Sequence, residues 1–163
     1  MKVCSATVLI IAALVVAARP LTARAQGKPD FTGTWTMDHT RSESAVQNEP
    51  IGPVTLVIAQ TPSEMRIETT RAQRSSTVTY KLDGSEIKIP GGTAKSHWDG
   101  STLVVETVRD IQGQTVTTRE TRRLNEDGTE MLVETMLVVQ HGYSLRGTPN
   151  YGAGKDVFVR MKN

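Results

Sequence analysis

Thr93-Ala94-Lys95-Ser96-His97-Trp98-Asp99-Gly100-Ser101-Thr102-Leu103-Val104-Val105-Glu106 is the stretch on which the fold turns. Two runs of alternating small or apolar and polar residues flank an Asp-Gly pair. A side-chain period of two is that of a strand with one buried face, and Asp-Gly favours the tight hairpin turn that needs φ > 0 at both central residues. Folding the stretch at Asp99-Gly100 puts Ala94, Ser96 and Trp98 on the face of Leu103 and Val105. Lys95, His97, Thr102 and Glu106 fall on the other face, so one side is core and one is solvent.

The same signal recurs at Asp83-Gly84 and Asp127-Gly128. A two-residue turn at Asp83-Gly84 sets Tyr80 opposite Ile87, Val78 opposite Ile89 and Lys81 opposite Glu86, pairing apolar with apolar and charge with opposite charge. With Asp127-Gly128 at a tip, Leu124 faces Met131 and Val116 faces Val139. Thr118, Glu120 and Arg122 then share that inward side. Two charges on a core-facing side have two readings: a polar part of a cavity that anchors a ligand, or a mutual ion pair near an open rim or beside a bulge.

Working outward, strands are expected near 31–38, 54–61, 64–70, 75–82, 85–89, 93–98, 101–109, 115–124, 129–139 and 156–161. Connections between 54 and 139 are mostly very short, so sequence neighbours should be antiparallel neighbours in space. Residues 26–163 hold 20 Thr and 13 Val against five Ala, which favours strands over helices. The expected fold is all-β: an antiparallel up-and-down meander of eight to ten strands, forming a barrel or a strongly curved sheet. Should the barrel fail to close, 156–161 would offer an open edge for association.

The first 25 residues read as an export signal, with Lys2 as the charged start, an apolar run from Val8 to Ala18, and Ala23-Arg24-Ala25 as the small-x-small cleavage site. The apolar run is shorter than the ~20 residues of a spanning helix. Export with cleavage leaves a single domain, 26–163, in the periplasm or outside the cell. Cys4 leaves with the signal, and so do Lys2, Arg19 and Arg24, taking the balance from 19 basic and 17 acidic residues to 16 against 17. That charge, with seven aromatics in the whole chain, argues against nucleic-acid binding.

Catalytic signals are thin. There is no Gly-x-Ser-x-Gly elbow, and Gly152-Ala153-Gly154-Lys155-Asp156 lacks the Ser/Thr and following helix of a phosphate-cradling loop. His39, His97 and His141 show no metal-ligand spacing. No catalytic residue, metal or cofactor is expected. Glu120 is the one carboxylate whose apolar neighbours would suit proton transfer.

Residues 39–53 and 140–155 read as two long loops, the first a short helical turn or lid on a barrel end. The second carries Tyr143, Arg146, Asn150 and Tyr151, a composition suited to a ligand or a protein partner.

Gly33-Thr34-Trp35, preceded by Asp30-Phe31, resembles the Gly-x-Trp opening of lipocalins and related calycin barrels. The chain from 31 to 161 is similar in outline to small exported bacterial proteins with a lipocalin-like domain. The resemblance implies that Arg160, on the last expected strand, packs over Trp35, giving both a structural role. No other lipocalin motif occurs in 101–139, and Ile, Leu, Val and Phe number only 28 in residues 26–163. So small an apolar inventory implies a narrow or partly polar interior.

The expected activity is binding of a small apolar or amphiphilic molecule, with Glu120, Arg122, Thr118, Tyr80 and Trp98 as the inward candidates for contact. The alternatives are a protein-binding module, such as a secreted hydrolase inhibitor acting through 140–155, and a barrel-cavity isomerase or cyclase.

Overall fold

The computed structural model describes residues 27–43, 52–140 and 150–162. Ten strands run in chain order: β1 (Gly33–Met37), β2 (Val54–Gln60), β3 (Glu64–Arg71), β4 (Arg74–Lys81), β5 (Glu86–Ile89), β6 (Gly92–Asp99), β7 (Thr102–Ile111), β8 (Gln114–Leu124), β9 (Glu130–Gln140) and β10 (Asn150–Arg160). They form one antiparallel sheet ordered β4-β3-β2-β1-β10-β9-β8-β7-β6-β5. The first and last strands therefore pair in the middle, and the sheet curls until β4 meets β5 and β6 in a nearly closed barrel. No helix lies among the described residues, and none of them forms a helix long and apolar enough to cross a membrane.

The inward alternation read from the sequence is the one the sheet uses between β6 and β9. Trp98 pairs with Leu103 and Ser96 with Val105, around a two-residue turn at Gly100-Ser101. Leu124 pairs with Met131 and Val116 with Val139.

Several expectations need correction. Asp83-Gly84 does not make a hairpin: β4 and β5 lie at opposite ends of the sheet, so Tyr80, Val78 and Lys81 pair with Met65, Ile67 and Glu64 of β3 instead of β5. The Asp83 carboxylate accepts hydrogen bonds from the Ser85 backbone N–H and hydroxyl, at 2.9 and 2.5 Å, so the pair turns the chain across the seam without opposing the two strands. The strand 156–161 is not an edge either, because β10 pairs with both β9 and β1. Finally, β10 starts at Asn150, so 150–155 is strand, where the glycine-rich composition suggested loop. Residues 141–149 of that expected loop, including His141, Tyr143 and Arg146, lie outside the described residues, as do the expected export signal and 44–51.

Residues 38–43 are not helical. They prolong the β1–β10 ladder, through Asp38 N–H to Val157 O at 2.8 Å and the Glu43–Lys155 bridge, with the Ser42 hydroxyl accepting from the Val157 N–H at 2.9 Å.

One end of the barrel is packed solid. Phe31, Trp35, Met65, Leu103 and Met131 are completely buried there. Each such side chain contributes about 1.5–3 kcal/mol over an exposed one, so the apolar stabilisation is concentrated at this end. Residues 29–32 cross beneath it, held by Gln60, whose side chain accepts from the Phe31 N–H and donates to Pro29 O, both at 3.0 Å. The Trp35 indole N–H donates to Phe31 O at 2.9 Å. Arg160 lies over the Trp35 ring, with its guanidinium carbon 4.2 Å from the ring centre. It also donates to Gly128 O, Thr32 O and Asp30 O, closing the end.

Candidate ligand site in the barrel interior

β8 crosses the interior with Thr118, Glu120 and Arg122 facing in. Thr118 stands opposite Thr107 and Leu137, Glu120 opposite Val105 and Thr135, and Arg122 opposite Leu103 and Val133. Leu103, Val105 and Val133 are buried, so the two charges rise from an apolar floor. Arg122 Nη2 donates to Glu120 Oε2 at 2.6 Å. The Arg122 side chain is 9% exposed and that of Glu120 29%. Glu120 and Arg122 thus form the mutual ion pair of the second reading on an inward-facing side, and no bulge turns them to solvent.

Two further inward groups meet this pair. Asp156 on β10 stands opposite Val133, two residues before the buried Phe158 on the same face. Tyr80 on β4 reaches in from across the seam. Burial pushes the Tyr80 phenol up, with Arg122 pulling it down and Glu120 pushing it up in smaller measure. Burial likewise raises the Asp156 carboxyl, against Arg71, while Glu120 adds to the rise and Arg122 opposes it. Tyr80, Glu120, Arg122 and Asp156 thus face inward from three strands, and Glu120 and Arg122 act on both of the others.

Their polar atoms are incompletely paired. Arg122 Nε and Nη1 and Asp156 Oδ1 are buried with no hydrogen-bond partner among the described residues. A buried polar atom left unpaired costs about 1–3 kcal/mol, more when charged, so these atoms are built to meet a partner. Gly152 and Gly154 occupy the next two inward positions of β10 and add no side chain. Thr118, Glu120, Thr135 and Asp156 all face inward yet remain partly exposed, unlike the sealed residues at the packed end. Toward the opposite end Arg71, Arg74 and Arg109 stand exposed on the same strand faces.

Of the five candidate contact residues, Thr118, Glu120 and Arg122 share the inward side of β8, and Tyr80 faces in from β4. Trp98 is not among them. It sits at the packed end, its ring 6.0 Å from that of Phe31 and the Lys28 amine 5.7 Å from its centre. Asp156 opens the expected strand 156–161 but was not among the candidates, because the glycines before it hid that the strand continues back to Asn150 and makes it an interior position. The signal that marks it is its two-residue spacing from Phe158. Of the histidines, His39 is exposed and His97 is half-buried and outward-facing; no group of metal-ligating side chains occurs among the described residues.

No protein-family model matches the chain, and no curated protein matches it. Solved structures do. The chain is similar to wild-type fluorescent protein UnaG at 18% identity, over 80% of this chain and 97% of that one, with a TM-score of 0.55. It is similar to human cRBP IV at 17% identity, over 82% of this chain and 99% of that one, with a TM-score of 0.57. Ten antiparallel strands in a nearly closed barrel, matched over almost the whole of both neighbours, make this a calycin-like fold.

Proposed function

We propose that the protein is an exported binding protein for a small apolar or amphiphilic molecule, held inside the barrel in the mature chain 26–163. The observation that carries this reading is Arg122: a buried guanidinium, paired through one nitrogen to Glu120, with its other two nitrogens unpartnered among the described residues. Beside it the inward-facing Glu120, Thr118, Thr135 and Asp156 are partly exposed. Pockets of this kind combine apolar walls with a few placed polar groups that orient the ligand. Here Val105, Val133, Ile67 and Val78 supply the walls, and Arg122, Glu120, Asp156 and Tyr80 the polar groups. The calycin-like neighbours, one of them titled a fluorescent protein and the other cRBP IV, have the same barrel and support a binding role for it.

The test is titration with N-phenyl-1-naphthylamine, an uncharged dye that brightens in apolar surroundings. The protein should bind it saturably at one site, and Thr118→Trp, which fills the interior, should abolish the signal while the fold is retained. Binding unaffected by Thr118→Trp would place the dye outside the barrel and contradict the reading. For export, N-terminal sequencing of the protein from the periplasm should begin at Gln26, and an unprocessed cytoplasmic product would contradict it.

A further inference from the structure

The charges in the interior restrict what can sit against Arg122. Its guanidinium is already neutralised by Glu120 at 2.6 Å, and a second carboxylate, Asp156, faces the same volume from β10. The unpartnered atoms are of both kinds: donors at Arg122 Nε and Nη1, and an acceptor at Asp156 Oδ1. A ligand carboxylate would satisfy the donors and leave Asp156 Oδ1 beside another anion, a like-charge contact in a poorly solvated space. An alkyl chain would satisfy neither. A group carrying both N–H and C=O satisfies both together.

We infer that the deep end of the interior seats an uncharged head group that donates to Asp156 and accepts from Arg122, a primary amide being the simplest, and that it discriminates against a carboxylate. This rests on the interior being a ligand site. Arg71, Arg74 and Arg109 do not reverse the preference. All three are exposed, so solvent and salt screen them; Arg71 offsets part of the Asp156 charge, but burial outweighs it there, and it leaves the Arg122 donors and Asp156 Oδ1 unpartnered. A carboxylate can enter the deep position only with a proton taken up by itself or by Asp156, which an amide does not need.

Displacement of N-phenyl-1-naphthylamine by decanamide and by decanoate at pH 7.5 tests this with one chain length and two head groups. Decanamide should displace the dye at a concentration about tenfold below that of decanoate, an unpaired buried charge being worth at least that factor. In Asp156→Asn, whose side chain can itself donate, the ratio should collapse toward one. Decanoate binding as tightly as decanamide to the wild-type protein would overturn the head-group assignment while leaving the interior site standing. Failure of the dye itself to bind would remove both.

Discussion

Arg160 and Trp35 meet face to face across the β1–β10 ladder, the guanidinium carbon 4.2 Å above the indole. Gly33 makes room for it: a β-carbon there would stand 2.9 Å from Arg160 Nη1, at a backbone φ of +141°. The stacking contributes roughly 0.5–2 kcal/mol, and the three carbonyls that Arg160 serves would each lose a donor. Arg160→Ala should therefore lower unfolding free energy by roughly 2–4 kcal/mol, and Gly33→Ala should lower it too by displacing the guanidinium. Urea denaturation followed by Trp fluorescence measures both.

Gly92 and Gly84 should respond in opposite degree to the same change. A β-carbon at Gly92 would lie 1.9 Å from Val108 O of the neighbouring strand, whereas at Gly84 nothing comes within 4 Å. Gly92→Ala must push β6 from β7 and should cost several kcal/mol, at the upper end for single substitutions. Gly84→Ala bears only the strain of φ +85°, about 1–2 kcal/mol. Thermal unfolding of the two variants side by side should show a far larger drop for Gly92→Ala.

The seam is held by Ser96. Its hydroxyl donates to Lys81 O at 2.6 Å and its carbonyl accepts from the Gly84 N–H at 2.9 Å, so β6 grips the end of β4 where ladder pairing is absent. Ser96→Ala removes the first bond and leaves a carbonyl without its donor, a loss of about 1–2 kcal/mol. Hydrogen exchange should accelerate at Gly84 and Leu82 and stay unchanged in β8 and β9.

Asp156 should weaken the unliganded fold at neutral pH. Burial raises its carboxyl above the ordinary value, so the folded state resists its ionisation more than the unfolded chain does. The resulting destabilisation is present above the folded pKa and disappears as pH falls through it toward the unfolded value. Asp156→Asn should raise Tm at pH 7.5 and match the wild-type protein near pH 4. A variant less stable at pH 7.5 would contradict this assignment.

Asp38 has the opposite sign. The Thr40 hydroxyl and then the Arg41 guanidinium hold it at about 2, against an ordinary 3.8. Asp30, Asp83 and Asp127 are lowered likewise by hydrogen bonds from Thr32, Ser85 and Thr129. Depressed carboxyl pKa values give stability that is present above the unfolded pKa and lost as pH falls through the folded one. Tm should therefore decline most steeply between about pH 4 and pH 2, and Asp38→Asn should flatten that decline.

The sheet between β6 and β9 was legible because period-two alternation and opposed apolar residues specify which side faces in, as at Leu124 and Met131. The β4–β5 relation was not. Asp83-Gly84 has hairpin chemistry, yet its side-chain hydrogen bonds to Ser85 turn the chain across a gap. Only the pairing of β1 with β10, a contact between distant parts of the chain, decides where that gap falls. The start of β10 was hidden for a related reason: Asn150-Tyr151-Gly152-Ala153-Gly154 has weak strand propensity, and it is the β9 ladder that makes it a strand. Glu120 and Arg122 stood out as charges on a core-facing side. Asp156 opens the expected strand 156–161, and only the extension of β10 back to Asn150 makes it an interior position beside them.

Native mass spectrometry of the protein purified gently from its own compartment, alongside Glu120→Gln and Arg122→Ala, tests the central claim most directly. The wild-type protein should carry a small-molecule adduct that both variants lose while keeping the wild-type circular-dichroism spectrum. A wild-type protein at its bare polypeptide mass, or an adduct retained equally by both variants, would contradict a ligand anchored at Arg122 in the barrel interior.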